Sequence, residues 1–123
     1  MRALVIDDSR AIRLILGQVM KKLGFEVVDA GDGQEALNKL KSDGPFDIAL
    51  VDWNMPVMNG YDFVVNTRKD SQYNDMRLMM VTTETEMAQV VKALEAGANE
   101  YVMKPFTKEM IAEKLTLLGL SPE

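Results

Sequence analysis

Short, wholly apolar runs alternate along this chain with longer stretches in which apolar residues recur every three or four positions. The runs are Ala3-Leu4-Val5-Ile6, Ile48-Ala49-Leu50-Val51, Leu78-Met79-Met80-Val81 and Tyr101-Val102-Met103. A strand that is apolar at every position is covered on both faces, as strands of a parallel sheet are. Phe25 to Ala30 instead mixes apolar residues with Glu26 and Asp29, which suits an edge strand whose charges discourage pairing with another chain. Between the runs lie helical periodicities. Ser9 is placed to cap a helix carrying Ile12, Ile15, Leu16, Val19 and Leu23 and closed by Gly24. Gly31-Asp32-Gly33 turns into a second, with Ala36, Leu37 and Leu40, ending near Asp43-Gly44-Pro45. A third runs through Tyr61, Phe63, Val64 and Thr67, followed by a polar link from about Lys69 to Asp75. Thr83 and Glu86 fit a capping box for a fourth, striped by Met87, Val90, Val91 and Leu94 and closed by Gly97. Thr107 caps the last, with Ile111, Leu115 and Leu118. Strand and helix thus alternate, which predicts an α/β fold: one doubly wound parallel sheet of five strands, joined by five helices through right-handed crossovers.

At 123 residues the chain is sized for one domain, with no linker or internal repeat. A net charge of −5 argues against a nucleic-acid surface, because affinity for a phosphate backbone needs clustered Lys and Arg. With no Cys and no His there is no thiolate or His-type metal site, no Ser-His-Asp triad and no phosphohistidine. The chemistry is therefore left to carboxylates, hydroxyls and lysines. The opening Met1 to Ile6 is too short for a signal-peptide core, and no stretch approaches membrane-spanning length. A monomer in the cytoplasm, with no membrane partner, is the expectation.

Strand ends carry the candidate chemistry. Asp7 and Asp8 follow the first strand, Asp52 the third, Thr82 the fourth and Lys104 the fifth. In open α/β sheets ligands bind at the carboxyl edge, where the strand order reverses. In a 2-1-3-4-5 sheet, the flavodoxin-like order, these groups line one crevice. Three carboxylates supply hard oxygen ligands of the kind Mg²⁺ takes, while a lysine and a hydroxyl opposite them suit a phosphoryl group. A carboxylate can itself accept that group as an acyl phosphate, with the cations neutralising charge in the transition state.

Five spaced motifs give this pattern a family. Val5-Ile6-Asp7-Asp8-Ser9, Val51-Asp52-Trp53-Asn54-Met55-Pro56 with Gly60, Val81-Thr82-Thr83-Glu84, Ala96-Gly97-Ala98 and Tyr101-Val102-Met103-Lys104-Pro105-Phe106 stand in order along the chain. From Leu4 to about Leu118 it resembles a response-regulator receiver domain, and within that family the stand-alone chemotaxis regulators. The resemblance implies a receiver over residues 1–123 without an output domain. It implies a phosphorylatable switch of a two-component system, not an enzyme beyond its own phosphoryl transfer and autodephosphorylation. Asp52 would take the phosphoryl group from the phosphohistidine of a histidine kinase. Asp7, Asp8, Asp52 and the backbone carbonyl of Asn54 would hold Mg²⁺, Lys104 and Thr82 would contact the phosphoryl oxygens, and Tyr101 would be an aromatic switch. The resemblance also implies a cis Lys104-Pro105 bond and a protein target, such as the flagellar motor switch, on the face of the fourth helix, fifth strand and fifth helix.

Rival readings are weaker. A phosphorelay intermediate or a phosphate sink uses the same site without a motor target. Gly31-Asp32-Gly33-Gln34-Glu35-Ala36 matches the dinucleotide fingerprint G-x-G-x-x-A, but Asp32 would face a pyrophosphate with like charge and the acids at the other strand ends would be idle. Phosphatases of the haloacid dehalogenase type carry a D-x-D motif, which neither Asp7-Asp8-Ser9 nor Asp52-Trp53-Asn54 supplies.

Overall fold

A strand with no polar position has to be covered on both sides, and the chain meets this by packing three helices on one face of a single sheet and two on the other. The computed structural model describes residues 1–83 and 88–120. Strands β1 (Arg2–Ile6), β2 (Glu26–Ala30), β3 (Ile48–Asp52), β4 (Arg77–Thr82) and β5 (Glu100–Met103) pair in parallel in the order β2-β1-β3-β4-β5. Helices α1 (Arg10–Lys22), α2 (Gly33–Asp43), α3 (Gly60–Arg68), α4 (Val90–Ala96) and α5 (Lys108–Leu117) connect them, with a 3-10 turn at Ser71–Tyr73. Among the described residues no helix is long and apolar enough to cross a membrane.

The alternation of side chains along each strand divides the core in two. Leu4, Ile6, Ala49, Val51, Leu78 and Met80 pack with Ala36, Leu40, Phe63, Val64 and Ala93. Ala3, Val5, Ile48, Leu50, Met79, Val81 and Val102 pack on the other face with Leu16, Met20, Ile111 and Leu115. The expected edge strand, β2, is at an edge, with Glu26 and Asp29 exposed, Val27 and Val28 half-buried and only Ala30 buried.

Most helix ends match their sequence signals. Ser9, Asp32 and Thr107 each accept the backbone N–H three residues on, and Asn59 does the same for α3. Gly24 and Gly97 leave α1 and α4 with positive φ, 95° and 122°. The fourth helix differs from its sequence reading. The described α4 starts at Val90 behind Gln89, which gives it no side-chain cap, and the expected capping box of Thr83 and Glu86 rests on Glu86, which like Met87 lies outside the described residues. Its buried stripe is Val90 and Ala93, and Val91 is 61% exposed. Seven residues make barely two turns, too few for the wide apolar face that a longer helix would bury. In α1 likewise, Leu16 and Met20 are fully buried and Ile15 lies half in solvent. The Lys104-Pro105 bond is cis, as expected, and so is Gly44-Pro45.

The polar link after α3 is held by a residue that periodicity does not single out. The Arg68 guanidinium donates to the carbonyls of Gly97, Tyr73 and Met76 and to Asn99 Oδ1, at 2.7–3.0 Å. It satisfies carbonyls that no ladder or helix reaches, and so joins the end of α3 to the approach to β4 and the α4–β5 turn.

Candidate functional site

The strand order reverses between β1 and β3, and the crevice this opens lies at the carboxyl ends of the strands. Register makes the site. Ile6 pairs with Val51, so the residues that follow, Asp7 and Asp52, come level with each other. Both are buried, at 1% and 6% exposure, while Asp8 is exposed. Carboxylate oxygens of Asp7, Asp8 and Asp52 all lie within 4.8 Å of one another.

Lys104 enters from the end of β5. Its backbone N–H donates to the Thr82 carbonyl at 2.6 Å, holding the strand ends together. Its ammonium donates to Asp52 Oδ1 at 3.0 Å and to Asp7 Oδ2 at 3.3 Å. Asp7 Oδ1 accepts the Ser9 N–H at 2.8 Å. Burial pushes the Asp52 carboxyl up to about 6, with the Asp7 charge adding to the rise, and the hydrogen bond and charge of Lys104 offset only part of it. For Lys104, burial works against the charged form, but the paired carboxylates of Asp52 and Asp7 outweigh it and raise its pKa above the ordinary lysine value. One ammonium thus serves two buried carboxylates, and a third carboxylate stands beside them. Such a concentration of negative charge has room for a further cation. The all-oxygen donor set fits Mg²⁺, which takes carboxylates together with water and phosphate oxygens.

Thr82, at the end of β4, is fully buried and its hydroxyl donates to the Thr83 carbonyl at 3.3 Å. Tyr101 on β5 is half-buried against the cluster that holds Ala93 and Ala98. The Lys114 ammonium of α5 sits 4.6 Å from the centre of its ring and pairs with Glu100 at 3.1 Å. The Asn54 to Asn59 loop is closed at its base by the Gly60 N–H, which donates to the Trp53 carbonyl at 2.9 Å. At its tip Val57 has φ 67°, a strained conformation for a β-branched residue, and the Met58 N–H donates back to the Pro56 carbonyl at 2.7 Å.

All the expected site residues except Tyr101 stand at the carboxyl ends of β1, β3, β4 and β5 or just beyond them. The rival glycine motif has another explanation. Asp32 caps α2, and the Gly33 N–H donates to the Met58 carbonyl at 3.1 Å, so close that a Cβ on Gly33 would lie 2.7 Å from that oxygen. The second glycine lets α2 approach the loop after β3, and no phosphate is needed to account for it. Met55 and Met58 pack against the core from that loop.

Residues 3–116 match the family model of the response regulator receiver domain. The chain belongs to that family. It is 42% identical over 119 residues to the chemotaxis protein CheY1 of Helicobacter pylori, a match that covers 96% of each chain. It is 42% identical over 116 residues to the chemotaxis protein CheY homolog of Campylobacter jejuni, covering 94% of this chain and 89% of that protein. The solved chemotaxis protein CheY4 of Vibrio cholerae superposes with a TM-score of 0.87 at 37% identity, over 95% of this chain and 97% of that one. This receiver is therefore of the CheY-like chemotaxis kind, and receivers of that kind take a phosphoryl group from a kinase and act on a protein target.

Proposed function

We propose that this receiver is a chemotaxis switch, phosphorylated on Asp52 by a histidine kinase and read by a protein target. The observation that carries the reading is the convergence of Asp7, Asp8 and Asp52 within 4.8 Å, with Lys104 bonded to the two buried carboxylates. An Asp52 carboxylate oxygen forms the new O–P bond while the N–P bond of the donor imidazole breaks, and the electron pair leaves on the imidazole nitrogen. Asp7, Asp8, Asp52 and the Asn54 carbonyl would hold Mg²⁺, whose charge would offset that of the phosphoryl oxygens. Lys104 does the same from the other side. Lys104, paired with Asp52 and Asp7, would turn part of its hydrogen bonding to the phosphoryl group.

The proton on Asp52 competes with the metal. With its pKa at about 6 in the metal-free protein, binding of Mg²⁺ above pH 7 needs no deprotonation. Below pH 6 each binding event releases a proton, and the apparent affinity falls roughly tenfold per pH unit. Titrating Mg²⁺ against Trp53 fluorescence between pH 5 and 8 reads this directly, because the single tryptophan adjoins Asp52 and is 93% buried. A flat profile through pH 5–7 contradicts the assignment of Asp52 as a ligand.

Output runs through Thr82 and Tyr101 to the face made by α4, β5 and α5. The phosphoryl group brings acceptor oxygens beside the Thr82 hydroxyl, which turns toward them. The space it leaves admits the Tyr101 ring, which then gives up the Lys114 ammonium. Only a few charge-assisted hydrogen bonds, about 3 kcal/mol in sum, shift such an equilibrium more than a hundredfold. The experiment is target affinity with and without beryllofluoride, a phosphoryl mimic, for wild type, Thr82→Ala and Tyr101→Ala. Both variants should lose most of the gain. If both keep it, the signal leaves by another face; if wild type shows no gain, a phosphorelay intermediate or phosphate sink is the better reading.

A further inference from the structure

The Asp7-Asp8 peptide lies just beyond β1, where the sheet ladder has ended, yet it sets the direction in which Asp8 offers its carboxylate. Besides its carbonyl oxygen, Asp7 is tied at three atoms: its N–H donates to the Ala30 carbonyl at 3.1 Å, Oδ1 accepts from Ser9 and Oδ2 accepts from Lys104. Asp8 has no such ties. It is exposed, and among the described residues no hydrogen bond or ion pair engages its carboxylate. Its aim therefore depends on the backbone that carries it.

That backbone is gripped by Arg13. The side chain rises from the first turn of α1, and its Nη1 donates to the Asp7 carbonyl at 2.7 Å while its Nε donates to Asp29 Oδ2 at 3.0 Å. One planar guanidinium thus spans α1, the end of β1 and β2, with its two bonds in a fixed geometry. Asp29 anchors it from the edge strand. A Cβ on Gly31 would lie 3.4 Å from Nη1, an ordinary contact. Arg13 forms no ion pair with Asp7, Asp8 or Asp52 among the described residues. Its charge is engaged with Asp29 and a peptide oxygen, and what it supplies to the site is orientation.

We infer that Arg13 is a positioning residue for the metal site: by holding the Asp7-Asp8 peptide plane, it aims the exposed Asp8 carboxylate at the cation shared with Asp7 and Asp52. This rests on the Mg²⁺ reading above. The inference has a sign that simple charge does not share. A cationic side chain near a divalent cation repels it, so removing Arg13 for its charge alone tightens Mg²⁺ binding. Removing it as a positioning group weakens binding, by about tenfold if it behaves as other groups that orient metal ligands do.

The test is the Mg²⁺ dissociation constant from Trp53 fluorescence for the whole chain, as wild type, Arg13→Lys and Arg13→Met, with metal-free thermal midpoints measured alongside. Arg13→Lys keeps the charge but loses the fork, and Arg13→Met loses both. Both variants are expected to bind Mg²⁺ about tenfold more weakly at temperatures well below their midpoints. Unchanged affinity in both, tighter binding by Arg13→Met, or lowered midpoints with affinity intact each overturn the positioning role while leaving the metal reading in place. Failure of the wild type to bind Mg²⁺ saturably overturns both.

Discussion

Asp52→Asn is expected to abolish phosphorylation altogether while making the metal-free protein more stable. Incubation of wild type with acetyl phosphate and Mg²⁺ should give a hydroxylamine-labile mass increase of one phosphoryl group, absent without Mg²⁺ and absent in the variant. An increase that persists in the variant sinks the assignment. The stability arm follows from burial. The Asp52 pKa is raised from 3.8 to about 6 in the fold, chiefly by desolvation. Its contribution to stability is therefore fully present below pH 4 and is lost as pH rises through 6. At pH 7 the ionised carboxylate costs about 3 kcal/mol at most, on the scale of 1.36 kcal/mol per pKa unit. A neutral amide escapes that cost, so urea midpoints of the variant should exceed wild type at pH 7–8 and converge with it near pH 4. As the proposed phosphoacceptor, Asp52 is a position where function and stability oppose each other.

Gly60→Ala should unfold the protein more readily by about 3 kcal/mol, lowering the thermal midpoint by roughly 10 °C. Gly60 is the first residue of α3 and fully enclosed by its neighbours. A Cβ there would fall inside the van der Waals envelope of the Asp52 carbonyl oxygen, and would lie 3.1 Å from the Asp52 carbonyl carbon and 3.2 Å from the Met80 methyl. The obstacle is backbone, which cannot swing aside as a side chain does. An alanine therefore forces the end of β3 away from the start of α3. That displacement moves Asp52 itself, so Mg²⁺ affinity should fall together with stability. Gly17→Ala is the contrast. Its Cβ meets only Val27 Cγ1 at 3.6 Å, an ordinary contact, and alanine in the interior of α1 should stabilise by about 0.5–1 kcal/mol. Equal midpoints for the two variants contradict the close approach.

Several features of this receiver are decided by residues acting over short spans, and these are the ones legible in the sequence. Uninterrupted apolar runs define β1, β3, β4 and β5 because a strand with no polar position has only one stable setting, between two layers. Ser9, Asp32 and Thr107 mark helix starts because a cap bonds a neighbour three residues on. The acids, the threonine and the lysine that end the strands are legible for the same reason: the end of a run is visible in the run. What they form together depends on register. Asp7 and Asp52 stand forty-five positions apart, and only the pairing of Ile6 with Val51 sets them level. Burial, and with it the raised pKa of Asp52, follows from that pairing and from the helices packed over it. The long-range side chains are hidden for a related reason. Arg13 and Arg68 lie on helices whose spacing assigns them to solvent, and each instead reaches carbonyl groups that tertiary packing brings within its range. Gly33 reads as a turn residue and Gly60 only as part of a motif until the chain brings Met58 and Asp52 against them. The helix that departs most from its sequence reading, α4, is the shortest of the five described α-helices. Period alone cannot orient so short a helix, and only its packing against α3 decides which side chains it buries.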